Sequence, residues 1–196
     1  EMFRSDFINN FSHEFKTPIV SIRGFAKQLE NENISEEQRK QYTEIIVSEC
    51  ERLATMSSNV LLLTKLEHQQ VVGKRKAYSL DEQLRRSVLL FEKDWERKNI
   101  ELDIDLEEII YVGNEELMSH VWINLLANAI KFTPDGGKIS VRALKKGNEI
   151  SVRISDTGVG MTHDVMEHIF DKFYQGDKSH AGSGNGLGLS LVRRIA

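Results

Sequence analysis

The chain has 196 residues, 40% of them hydrophobic and 29% charged, which suits one large domain or two small ones, each with its own core. A formal net charge of −4, with no basic run, argues against a general nucleic-acid binder. The lone cysteine, Cys50, excludes an internal disulfide and fits a reducing compartment.

Apolar residues at Ile8, Phe11, Phe15, Ile22, Phe25 and Leu29, with Pro18 on the vacant step, predict a helix from the start of the chain to about Glu30. Their spacing is that of a coiled-coil or bundle seam. With Phe11 at d and Phe15 at a, His13 falls at f and faces water. Glu14 puts a carboxylate beside the imidazole, able to accept from one ring N–H and leave the other nitrogen nucleophilic. Thr17 lies at i+4 on the same face. Pro18 has no N–H for the Glu14 carbonyl, which predicts a bend just below His13. An exposed helix histidine is ordinarily only a solvated side chain, and a zinc site of the H-E-x-x-H type fails because Thr17 holds the second histidine position.

Asn31-Glu32-Asn33 predicts a break, and Ser35 with Gln38 three residues on predicts a capping box that opens a second helix. That helix carries Ile46, Leu53, Met56, Val60 and Leu63 at seam spacing and runs to about Glu67. Together the two helices predict an antiparallel hairpin whose seam is too wide to bury alone, so that a second copy would complete a four-helix bundle. The heptads alone favour a purely structural coiled coil; only the occupant of f points elsewhere.

His68 to Lys76 reads as a polar linker. Beyond it the pattern is mixed: a strand at Ala77 to Leu80, a helix at Asp81 to Lys98, and strands at Ile100 to Leu106 and Ile109 to Val112. A helix follows from Asn114 to Phe132, then strands at Lys138 to Leu144 and Glu149 to Ser155, joined as a hairpin. The fold class is α+β: a helical hairpin over residues 1–67, a linker over 68–76, and over 77–196 a mixed sheet with helices on one face.

Asn124, Asn128 and Lys131, at i, i+4 and i+7, form one polar stripe on an otherwise apolar helix. Polar groups there need partners, and phosphates with a hydrated Mg²⁺ are suitable, as is plain solvent. Asp156 ends a strand and leads into Thr157-Gly158-Val159-Gly160, where glycines let the backbone approach a flat ligand; a buried carboxylate here could accept from the exocyclic amine of adenine, and the run also reads as a plain turn. Gly184-Asn185-Gly186-Leu187-Gly188-Leu189 runs into an apolar helix, which suits an anion site, although it is neither a P-loop nor a dinucleotide fingerprint. Phe170-Asp171-Lys172-Phe173-Tyr174 is an aromatic cluster, and Gln175 to Ser183 reads as a lid.

The run Phe11 to Pro18 resembles the H-box of the sensor histidine kinases of two-component signalling. Asn124 to Thr133, Asp156 to Gly160, Phe170 to Tyr174 and Gly184 to Leu189 resemble, in order, the N, G1, F and G2 boxes of the same family. The resemblance implies a Bergerat-type α/β sandwich behind a dimeric four-helix bundle. It implies His13 as phosphoacceptor, Glu14 as general base and Thr17 as the residue that orients water in a reverse phosphatase reaction. It implies ATP and Mg²⁺ as cofactors, with Asn128 holding the metal, Asn124 and Lys131 on phosphates, and Asp156 reading adenine. The resemblance also assigns Phe132, Gly158, Gly160, Lys172, Phe173, Gly184, Gly186, Leu187 and Gly188 to the nucleotide site. Lys172 stands where arginine is frequent, which removes a bidentate fork. In related ATPases a water-activating glutamate stands four residues before the metal-binding asparagine; here Asn124 does, which fits transfer to a histidine. A homodimer and a response-regulator receiver domain are the implied partners, nucleic acid is not one, and a catalytically silent nucleotide-binding module is the other reading. No apolar run reaches the roughly 20 residues that span a bilayer. The absence of an initiator methionine and the unfinished apolar helix at Ile195-Ala196 read as the ends of a fragment, and the resemblance implies a cytoplasmic piece, incomplete at its C-terminus, that meets a membrane only through a sensor region before Glu1.

Overall fold

The computed structural model describes residues 2–68, 75–176 and 184–196, with side chains from Phe11 onward. It divides into two compact units, one of residues 1–65 and 171–187, the other of residues 66–170 and 188–196. The predicted linker falls largely on residues 69–74 and the predicted lid largely on 177–183, both outside the described residues.

In the first unit, α1 (Met2–Leu29) and α2 (Glu36–Glu67) form the predicted hairpin. The capping box at the start of α2 is made in both directions: Gln38 N–H donates to Ser35 Oγ at 3.1 Å and Ser35 N–H to Gln38 Oε1 at 3.1 Å. In the turn, Asn33 N–H donates to Asn31 Oδ1 at 3.0 Å. Phe25 meets Tyr42 across the hairpin with ring centroids 5.4 Å apart. Helix α1 continues through Pro18, whose ring is fully buried in the seam. Met56 and Leu63 are buried too, whereas Phe15, Ile22, Phe25, Leu53 and Val60 are only half-buried within one chain.

The second unit holds two sheets. Strands β1 (Lys76–Ser79) and β3 (Ile110–Gly113) pair antiparallel. The mixed sheet is ordered β2 (Glu101–Leu106), β4 (Lys138–Lys146), β5 (Glu149–Asp156), parallel between the first two and antiparallel between the last two. Strand β4 alternates as far as Ala143, burying Ile139, Val141 and Ala143 completely. Against that face pack Leu80, Leu84 and Val88 of α3 (Leu80–Leu89), Leu126 and Ile130 of α5 (Glu115–Phe132), and Val192 of α7 (Gly188–Ile195). On the other face the charges form a ladder: Arg142 bridges Asp103 at 2.9 Å and Asp105 at 2.7 Å, and Lys138 bridges Glu101 at 2.8 Å.

The secondary-structure elements depart from the sequence reading at three places. The helix expected over Asp81 to Lys98 is interrupted at Leu90-Phe91, and α4 (Glu92–Arg97) follows. No glycine or proline marks this break, which accompanies the packing of Phe91 and Trp95 onto the core. The β4–β5 turn is shorter than expected, because β4 runs to Lys146 and leaves only Gly147 and Asn148 between the strands. An unpredicted short helix, α6 (His163–His168), opens with Thr162 Oγ1 accepting from Val165 N–H at 3.4 Å.

Candidate functional site

In the first unit His13 is exposed on α1, as position f requires. Thr17 is exposed one turn on, its hydroxyl donating to the His13 carbonyl at 3.3 Å. Glu14 is half-buried, and its carboxylate is not hydrogen-bonded to the imidazole. Its Oε2 lies 3.4 Å from Arg52 Nη2 on α2 and 3.5 Å from Gln175 Nε2. Arg52 also faces Glu49 at 3.7 Å. The hairpin brings together positions equidistant from its turn, and Glu14 and Arg52 are equidistant from Asn33. Sequence reasoning singled out neither Arg52 nor Gln175, yet the turn signal was sufficient to find the first.

The segment from Asp171 to Leu187 belongs to this same unit. Phe173 is buried with a left-handed φ of 63°, unusual for a bulky residue. Its N–H donates to the Gly186 carbonyl at 2.8 Å and its ring meets Phe11 edge-on at 6.4 Å. At Gly186 a side chain is excluded: φ is 64°, and an added Cβ would stand 2.5 Å from the Phe173 carbonyl carbon. Gln175 Nε2 donates to the Gly184 carbonyl at 3.1 Å, Leu187 is buried, and Lys172 is half-buried.

In the second unit, Asn114 starts α5 by accepting from Leu117 N–H at 3.1 Å. The predicted stripe lies on that helix with Asn124, Asn128 and Lys131 all half-buried. Asn124 Nδ2 donates to the His120 carbonyl at 2.8 Å, which turns its Oδ1 toward Gly188 at the start of α7. Lys131 Nζ lies 4.9 Å from the centre of the Phe132 ring. Asp156 is exposed, not buried as the sequence suggested, because β5 is an edge strand and Asp156 its last residue. Its Oδ1 accepts from Gly158 N–H at 2.8 Å and closes a turn. Gly158 is held so close that an added Cβ would lie 2.7 Å from the Phe132 carbonyl oxygen. The G1 turn therefore abuts the C-terminal end of the helix that carries the stripe. Gly160 follows with φ 68°.

The second unit thus holds two amide side chains, an ammonium, a carboxylate and two close-approach glycines, Gly158 and Gly188. Among the described residues no group of three or more His, Cys, Asp or Glu side chains could hold a metal. The donor set does suit a divalent cation that arrives on a triphosphate, keeps most of its waters and takes a single amide oxygen such as that of Asn128.

Residues 3–69 match the His Kinase A (phospho-acceptor) domain, and residues 113–196 match the histidine kinase-, DNA gyrase B- and HSP90-like ATPase family. The chain is 37% identical to drug sensory protein A of Synechocystis sp. over 207 residues, covering 98% of this chain and 31% of that protein. It is 30% identical to the sensor-like histidine kinase SenX3 of Mycolicibacterium smegmatis, covering 100% of this chain and 52% of the relative. It therefore spans a third to a half of the length of these relatives. Among solved structures, the histidine kinase ThkA in complex with the response regulator TrrA superposes with a TM-score of 0.75 at 25% identity, over 97% of this chain and 54% of that one. Acinetobacter baumannii histidine kinase AdeS has the same fold, with a TM-score of 0.75 at 20% identity over 93% and 85% of the two chains. Both halves of the chain, the hairpin with its exposed histidine and the ATPase-type unit, have their counterparts in one family, and the chain belongs to the sensor histidine kinases.

Proposed function

We propose that the chain transfers the γ-phosphoryl group of ATP to His13 and then to an aspartate of a response-regulator receiver domain. One observation carries this reading: an exposed imidazole stands in a hairpin that matches a phospho-acceptor domain, in the same chain as a nucleotide-type donor set on α5. In the first step a ring nitrogen of His13 bonds to the γ-phosphorus while the bond to the β–γ bridging oxygen breaks. ADP leaves with that electron pair, and the ring proton passes to Glu14 or to solvent. Asn124 and Lys131 would hold phosphate oxygens and Asp156 Oδ2 the adenine amine. Bound through Asn128, Mg²⁺ would neutralise charge on the triphosphate.

The ThkA relative is crystallised with a response regulator, which supports a receiver domain as this chain's second substrate. The half-buried seam of one hairpin supports a homodimer. Thr17, exposed beside His13, supports a reverse phosphatase activity in which its hydroxyl orients water. No described helix is long and apolar enough to cross a membrane, and a cytoplasmic location for this portion is part of the same proposal.

Calorimetric titration with Mg·ATP tests the nucleotide half. Wild type is expected to bind, and Asn128→Ala to bind at least about tenfold more weakly with Mg²⁺ but little changed in EDTA. Equal binding by both in Mg²⁺ would remove the metal role of Asn128.

A further inference from the structure

We propose that Lys98, which lies in none of the sequence motifs, is a positioning residue for the nucleotide site. The inference deepens the ATP reading above and rests on it. Helix α5 ends at Phe132 and is followed by Thr133-Pro134. A proline has no N–H, so the Ile130 carbonyl lacks the donor it would meet in a continuing helix. The Lys98 ammonium takes that place: Nζ donates to the carbonyls of Ile130 at 2.8 Å, Lys131 at 3.1 Å and Thr133 at 2.8 Å. All three ammonium hydrogens are used, at the negative end of the helix dipole.

Lys98 is itself fixed in place. Asn99, at φ 51°, closes α4 in a left-handed turn, with Asn99 N–H donating to Glu96 at 2.9 Å and Ile100 N–H to Trp95 at 2.9 Å. The Lys98 carbonyl accepts from Gly136 N–H at 2.8 Å, and Glu101 N–H donates to the Gly137 carbonyl at 2.8 Å. The clamp therefore joins the end of α4, the last turn of α5 and the loop at residues 133–137. That last turn carries Lys131 and Phe132 and directly follows Asn128, and the Phe132 carbonyl is what Gly158 abuts. The Lys98 contacts set the separation between the phosphate and metal residues on α5 and the Asp156–Gly158 turn, without touching nucleotide.

The test compares wild type, Lys98→Met, Lys98→Arg and, as a core control in the same unit, Ile109→Val, each well below its melting temperature. Lys98→Met is expected to weaken Mg·ATP binding about tenfold, and Lys98→Arg to restore most of that loss, while Ile109→Val lowers the melting temperature and leaves affinity unchanged. Hydrogen exchange of the nucleotide-free chains reads the clamp directly: Lys98→Met is expected to speed exchange at residues 130–133 and 158 but not in the middle of α5. Wild-type affinity in Lys98→Met, or a loss no larger than that in Ile109→Val, would overturn the positioning role. Unchanged exchange would overturn the clamp itself. A wild-type chain that binds no ATP, with exchange responding as expected, would instead remove the nucleotide reading.

Discussion

Glu14 shows how little of the site's chemistry is local. The residue sits next to His13 in the chain, yet its carboxylate answers to Arg52 and Gln175, contributed by distant segments of the same unit. Adjacency predicted a carboxylate beside an imidazole; it did not predict which donor that carboxylate would choose, since neighbours in a helix point about 100° apart. Thr17 behaves as its spacing said, and replacing it should separate two activities. Thr17→Ala is expected to keep phosphorylation of His13 and to slow dephosphorylation of a phosphorylated receiver domain about a hundredfold, read by following loss of labelled receiver. Equal loss of both activities would assign Thr17 a structural role.

Asp81, also at the residue scale, sets a pH limit. Nearly fully buried, it accepts from Ser79 Oγ at 2.7 Å, Arg85 Nη1 at 2.8 Å and Ile109 N–H at 3.3 Å. The Ser79 hydroxyl first, then the Arg85 guanidinium and the Ile109 N–H, hold its carboxyl below the ordinary value of 3.8 despite burial. A folded-state pKa below the unfolded one adds stability above pH 3.8 that is lost as the pH falls through the lowered value. Asp81→Asn should therefore lower the melting temperature at neutral pH, with the gap to wild type closing in acid. A gap independent of pH between 3 and 7 would contradict this linkage.

The elements were legible where the pattern was regular. The capping box at Ser35, the seam of α1 and α2, the alternation of β4 up to Ala143 and the asparagine cap of α5 all appear as spacing or local chemistry in the sequence. The break at Leu90-Phe91 was not legible, because Leu84, Val88, Phe91 and Trp95 keep helical spacing across it and only packing interrupts them. Helix α6 lacks an apolar stripe, and Thr162 was its one sign.

Buried connections between elements were equally invisible. Gln83 on α3 accepts from Trp122 Nε1 at 2.9 Å and donates to the Glu115 carbonyl at 2.6 Å, tying α3 to α5. Gln83→Leu leaves the buried indole N–H without an acceptor and should cost about 1–3 kcal/mol in chemical denaturation, with an unchanged m-value. The left-handed turn at Asn99 gives a sharper contrast. Asn99→Gly should keep stability within a few tenths of a kcal/mol, whereas Asn99→Val should cost about 1–2 kcal/mol, because a β-branched residue resists φ 51°. Equal losses would show that the turn does not depend on that conformation.

For the whole molecule, the exposed hydrophobics fall on both units. On the hairpin, Ile19, Val20, Val47 and Leu61 are each about half exposed, and the seam beside them is half-buried. A second hairpin would cover such a surface, and sedimentation equilibrium should find the chain at twice its 22.5 kDa. A monomer at micromolar concentration would contradict the four-helix bundle.

The central claim is that His13 accepts phosphate from ATP, and one measurement reaches it most directly. Wild type and His13→Gln are incubated with Mg²⁺ and γ-labelled ATP, and the label retained on protein is counted after acid and after base. Label on wild type that is acid-labile, base-stable and absent from His13→Gln is the predicted result. Equal label on both chains, or label stable to acid, would contradict the account.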